Sequence, residues 1–104
     1  MSETVTFVSC GDVRQARAIA RALVEERLAA CVNVLPGATS VYRWQGKVEE
    51  SREVLLLIKS TTARARRLEA RVKALHAYEL PEVLTLKVAG GSAAYLRWLR
   101  ENAR

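Results

Sequence analysis

The stretch from Ala30 to Lys59 constrains this chain more than any other. Its centre reads Tyr42-Arg43-Trp44-Gln45-Gly46-Lys47-Val48, and Gln45-Gly46 is the natural turn. A two-residue hairpin connection needs left-handed backbone, which glycine adopts without steric cost. Strand formers flank the turn: Cys31, Val32, Val34, Val41, Tyr42 and Trp44 before it, Val48 and Val54 through Ile58 after it. A turn centred there sets Trp44 opposite Lys47, Tyr42 opposite Glu49 and Val34 opposite Leu57. Each arm then holds roughly 14 residues and spans about 45–50 Å at ~3.3 Å per residue. A compact domain of this length is only ~35 Å across, so the hairpin outgrows its own globule and its distal half, Ser40 to Arg52, projects. Pro36-Gly37 bends or bulges the first arm, because proline has no N–H to give to a ladder.

A projecting two-stranded ribbon with unpaired edges is marginal alone in water. The expectation is a homo-oligomer assembled through this ribbon, with Tyr42 and Trp44 as interface anchors. The other reading is a mobile polar flap, since Lys47, Glu49, Glu50, Ser51 and Arg52 are all soluble residues. Leu55-Leu56-Leu57-Ile58 is apolar at every position, so neither face of that segment should meet water. One face goes to helices of the same chain and the other is left for a neighbouring subunit.

The rest of the chain falls into place around the hairpin. Thr4 to Ser9 reads as a buried strand, broken by Cys10-Gly11-Asp12. Asp12 followed by Gln15 fits a capping box. The helix behind it buries Ala16, Ile19, Ala20, Leu23 and Leu28 at helical spacing and ends near Arg27 or Leu28. Thr61 or Thr62 caps a second helix whose inward stripe is Ala65, Leu68, Val72 and Leu75. Pro81 forces Leu80 out of helical geometry. Val83 to Val88 is a last strand, and Ala93 to Asn102 a terminal helix carrying Tyr95, Trp98 and Leu99. The order β-α-β-β-α-β, then α, is that of an α+β, ferredoxin-like sandwich with four antiparallel strands and both main helices on one face. With no linker or low-complexity segment, residues 1–104 read as one domain.

Composition narrows the class. No stretch approaches the ~20 apolar residues of a membrane span. The start, Met1-Ser2-Glu3-Thr4, shows no secretory pattern. Two cysteines without such a signal read as reduced cytosolic thiols, hence a cytoplasmic protein. The net charge of +6 could serve an acidic partner. Much of it, however, lies in Arg64, Arg66, Arg67, Arg71 and Lys73, opposite an apolar stripe, which is ordinarily a solvated helix face. The RNA-recognition module shares this element order, but it stacks bases on aromatics of its central strands. Val5, Phe7, Leu55 and Leu57 offer one aromatic there, so nucleic acid is not the expected partner.

Chemistry concentrates where the first strand ends. In a split βαβ sandwich the first and last strands are antiparallel neighbours, which brings Cys10 beside His76, the chain's one histidine. A thiolate and an imidazole suit copper or zinc, and Asp12 and Glu79 could add carboxylates. Two alternatives stand beside that metal site. Cys10 could be a small buried hydrophobe with His76 a helix C-terminal cap. The pair could also be a nucleophile and its base, although no oxyanion-hole motif or orienting third group accompanies it.

Ala30-Cys31-Val32-Asn33-Val34-Leu35-Pro36-Gly37, Ser40 through Lys47, Glu53 and Lys59 resemble the signature of the CutA divalent-cation tolerance family. His76 through Glu82 resembles that family's second block, and Gly91, Tyr95 and Trp98 its C-terminal pattern. The resemblance covers essentially the whole chain. It implies a non-enzymatic subunit related in architecture to the PII signalling proteins, and a tight homotrimer whose long strands pair between subunits. Trp98 joins Tyr42 and Trp44 as an expected interface residue. It also implies copper or another divalent metal ion as cofactor, with family copper ligands falling on Cys10 and His76. Two positions depart from the family: Ala77 stands where proline is usual, and Leu75 where some members carry a second histidine.

Overall fold

The computed structural model describes residues 2–104. The elements are β1 (Glu3–Cys10), α1 (Val13–Glu25), β2 (Cys31–Trp44), β3 (Lys47–Thr61), α2 (Ala65–Leu75, entered through a 3-10 turn at Thr62–Arg64), β4 (Leu84–Lys87) and α3 (Ala93–Asn102). The strands form one antiparallel sheet in the order β2-β3-β1-β4, and the ferredoxin-like order expected from the sequence is the one observed.

Strand alternation sorts the residues by face. Val8 and Cys10 of β1 and Val54, Leu56 and Ile58 of β3 point into one core with Ala16, Ile19 and Leu23 of α1 and Leu68 and Val72 of α2. At ~25 cal/mol per Å² of apolar surface, each buried Val, Leu or Ile among these contributes about 1.5–3 kcal/mol. The Asp12 carboxylate caps α1 by accepting the Gln15 amide at 2.8 Å. That is one half of the expected capping box.

Four local expectations are corrected. First, α1 stops at Glu25, before Arg27, because Arg27 turns left-handed at φ 60°. The Leu28 amide then donates to Leu23 O (2.9 Å) and the Arg27 amide to Val24 O (3.1 Å). This is a Schellman closure, in which Leu28 packs back near Leu23. Second, neither Thr61 nor Thr62 caps α2 with its side chain; Thr61 is the buried end of β3 and the 3-10 turn intervenes. Third, β1 runs on through Cys10 while β4 is short, four residues from Leu84 to Lys87. Fourth, Val34 lies opposite Leu56 and not Leu57.

That last difference matters most. The turn is where the sequence puts it: Gln45 (φ 50°) and Gly46 (φ 81°) are both left-handed, Trp44 faces Lys47 and Tyr42 faces Glu49. Between Leu35 and Ala38, however, β2 carries one residue more than β3, with Gly37 at φ 85°. A bulge of this kind inverts alternation beyond it. Ser40, Tyr42 and Trp44 therefore join Cys31, Asn33 and Leu35 on the sheet face away from α1 and α2.

The long axis of the molecule is 44 Å against 25 and 23 Å across, so the hairpin does outreach the body. α3 crosses one end of the second sheet face, where Arg100 pairs with Glu3 at 2.6 Å. Arg27 ties that helix down further, donating to the carbonyls of Glu101 and Arg104. The remainder of this face is bare: Leu35, Leu84 and Leu86 are exposed, and Leu55 and Leu57, expected to be dry on both sides, are only half-buried. On the helix side Arg71 grips Glu26 through a forked ion pair at 2.9 Å, so the arginine-rich helix is not wholly a solvated surface.

Candidate functional site

The site grows from the end of β1. In an antiparallel pair alternate carbonyls point to the same neighbour, and β4 covers β1 only from Thr4 to Phe7. The Ser9 carbonyl is left beyond the end of β4. His76 fills the gap: at the end of α2 its backbone becomes extended (ψ 142°), and its Nε2 lies 2.7 Å from Ser9 O. On the other side of the ring, Nδ1 lies 3.0 Å from the Tyr78 amide. A carbonyl can only accept and an amide can only donate, so Nε2 carries the proton and Nδ1 the lone pair. The imidazole is held as one tautomer with both nitrogens engaged.

Tyr78 continues the chain of contacts. Its ring sits 4.7 Å from that of His76, and its hydroxyl donates to Glu53 Oε2 at 2.7 Å. Burial, then the bond to Glu53 and its charge, push the phenol well above the ordinary tyrosine range, so it stays a donor. Gly11 makes room for it, since a Cβ there would sit 3.3 Å from the Tyr78 hydroxyl oxygen. Glu53 is buried (9 % exposed) on the face to which the bulge has turned Tyr42 and Trp44.

Ser9, Glu53 and Tyr78 line, with residues of the hairpin, an open cleft of about 580 Å³ at its root. Its carboxylates are Glu53, Glu79 and Glu82, and its aromatic walls Tyr42, Trp44 and Tyr78. Leu80, Val41, Ser9 and Ser40 complete it, and no lysine or arginine lines it.

The residues singled out in the sequence are distributed differently. Cys10 does reach the neighbourhood of His76, which bonds the residue before it, but its thiol is fully buried in the helix-side core. Burial first, then the charges of Asp12 and Glu53, push that thiol up to about 11. It is held as a thiol, the wrong form for a metal ligand or a nucleophile at neutral pH. Asp12 is committed to capping α1. Glu79 is exposed and belongs to the cavity. Among the described residues no three His, Cys, Asp or Glu side chains come close enough to hold a metal ion together. As folded in one subunit, Cys10 and His76 would hold a metal only after Cys10 loses its proton and His76 gives up a hydrogen bond. The sequence reading assigned no site role to Glu53, Tyr78 or Glu82; the bulge that aligns Glu53 with Tyr42 is signalled only by Pro36-Gly37.

Fold and cleft define the class: a small α+β sandwich with an acidic, aromatic-walled cleft at the base of a projecting hairpin. The sequence pattern of the CutA1 divalent ion tolerance protein family matches residues 4–102, and this chain belongs to that family. It is 56% identical over 100 residues to the divalent-cation tolerance protein CutA of Thermus thermophilus, covering 96% of this chain and 97% of that one. It is 46% identical over 100 residues to the human protein CutA, of which it spans 56%. The solved structure of the divalent cation tolerance protein from Thermus thermophilus superposes with a TM-score of 0.96 at 55% identity, over 98% of this chain and 99% of that one.

Proposed function

We propose that this chain is a non-enzymatic, cytoplasmic cation-tolerance protein that works as a homotrimer, with its ligand taken up in the clefts between subunits. The observation that carries the reading is the bare apolar face. Leu84 and Leu86 are 59% and 51% exposed, and Leu35, Tyr42, Trp44 and Trp98 are all above 40%. Contiguous exposed apolar surface of this kind marks a protein interface. The free edge of β2, 14 residues long, adds a row of unpaired backbone groups that a sister strand can satisfy. Tyr42, Trp44 and Trp98 are the anchors of that assembly. Sedimentation of the purified protein tests it directly: a particle of 11.6 kDa at micromolar concentration would remove the trimer.

Association with copper or other divalent ions, in keeping with the names of the relatives, belongs to the same reading. Cys10 and His76, with Asp12 or Glu79 as helpers, bind only if Cys10 loses its proton and His76 gives up a hydrogen bond, so the affinity is weak. Copper titration of the native protein against Cys10→Ala and His76→Ala decides it. Unchanged binding in both variants would remove this pair. The PII-like alternative, a sensor whose cleft ligand matters and whose metal is incidental, is favoured by the cavity around Glu53.

A further inference from the structure

Among the described residues no cation balances the buried carboxylate of Glu53. One oxygen accepts the Tyr78 hydroxyl; the other meets no donor among the described residues, and none of their Lys, Arg or His side chains forms an ion pair with it. Buried carboxylates are rare unless paired, because desolvation costs several kcal/mol per charge. The absence of a partner stands out in a chain with 17 lysines and arginines. Its free oxygen is not sealed in the protein but opens onto the cleft, where a group from outside the subunit can reach it.

The surroundings of Glu53 select among cations. A bare metal ion would need several ligating groups in one small shell, and the described residues hold no such group of three. The cavity of about 580 Å³ is instead within the size range of small-molecule sites. Two further carboxylates, Glu79 and Glu82, lie along it, and Tyr42, Trp44 and Leu80 give it an apolar wall. Aromatic faces beside carboxylates recognise a cation that carries its own apolar body, through cation–π attraction and charge-assisted hydrogen bonds together. An anion would find three like charges and no basic group.

We propose that the cleft bounded by Glu53, Glu82, Tyr42, Trp44 and Tyr78 binds a small organic cation, an alkylammonium or alkylguanidinium, whose charged head pairs with Glu53 and whose chain lies against Trp44 and Leu80. This rests on the cleft reading above and gives its ligand a chemical class. The head group occupies the free Glu53 oxygen while Tyr78 holds the other.

The experiment is calorimetric titration of the purified, assembled protein with n-butylammonium, butylguanidinium and tetramethylammonium, and with butyrate and n-butanol as controls. Sedimentation is run on every sample. The expected result is saturable binding of at least one primary or guanidinium cation, none of butyrate or n-butanol, and about tenfold weaker binding in Glu53→Gln, the loss of one charge-assisted contact. Glu82→Gln, at an exposed position, weakens binding also and serves if Glu53→Gln does not fold. No binding of any cation by the native protein overturns the proposal, as does equal binding by the native protein and both variants. A Glu53→Gln protein that falls apart into monomers, with no cation bound by the native form, would show that a sister chain's basic side chain fills the cleft. Saturable, Glu53-dependent binding by a monomer would sink the trimer and leave this proposal standing.

Discussion

His76 and Thr4 show how single side chains set local stability. His76→Ala would leave Ser9 O and the Tyr78 amide without their ring partners. The expected cost is about 2 kcal/mol, from unmade hydrogen bonds at a buried site. Urea unfolding measures it, and loss of the Tyr78–Glu53 contact should accompany it. Thr4 is the opposite case: its Oγ1 is buried with no partner among the described residues. Thr4→Val keeps the shape and removes the unsatisfied hydroxyl, so it should raise unfolding free energy by roughly 1 kcal/mol. Cys10 is predicted to resist alkylation at pH 8, with half-exposed Cys31 reacting first. Because its folded value is raised to about 11, from an ordinary value of 9.0, the stabilising contribution of this thiol is complete below pH 9.0. It is lost as pH climbs through 11.

At the scale of elements, the bulge in β2 and the docking of α3 shape the second sheet face. Deleting Pro36 would remove the extra residue and return β2 to plain alternation. Ser40, Tyr42 and Trp44 would keep their partners Ser51, Glu49 and Lys47 and so their face, while the bend and extra twist that the bulge gives the ribbon would be lost. The expected outcome is a folded body whose hairpin leaves it at a different angle, seen as a changed Trp44 emission and weakened assembly on sedimentation. The attachment of α3 is acid-sensitive. The Arg100 guanidinium beside Glu3 holds that carboxyl below its usual range against the opposing effect of burial. A lowered folded value means that the contribution is present at neutral pH and disappears as pH falls through the folded value. Hydrogen exchange in α3 should therefore rise at acid pH before that of β1 and β3, and Arg100→Met should exchange fast at all pH values. Equal exchange in the native protein and the variant at neutral pH would contradict this.

For the whole molecule, one sheet serves two purposes. Its helix-side face holds the core that folds the chain, while the other face is covered by α3 at one end and bare elsewhere. The helix-side core was legible in the periodicity of Ala16, Ile19, Leu23, Leu68 and Val72. The four consecutive apolar residues Leu55 to Ile58 also pointed to a sheet wanted on both faces. Helix and strand ends were less legible, because Arg27 shows no glycine at the left-handed closure and Thr61 serves β3 where it could have capped α2.

What the sequence determined by itself was the element order, the long hairpin and its turn, because these follow from local periodicity and from backbone preferences at Gly46 and Pro81. It also brought His76 to the end of β1, since that follows from topology alone. Only the tertiary structure decided what the pair became. The unpaired Ser9 carbonyl took one imidazole nitrogen, the Tyr78 amide took the other, and the core took the Cys10 thiol. A one-residue bulge then set Tyr42 and Trp44 over Glu53 and placed the exposed chemistry there. Which face a side chain occupies depends on counting every residue of the strand, and a hydrogen bond across the fold competes for the same lone pair a ligand would need.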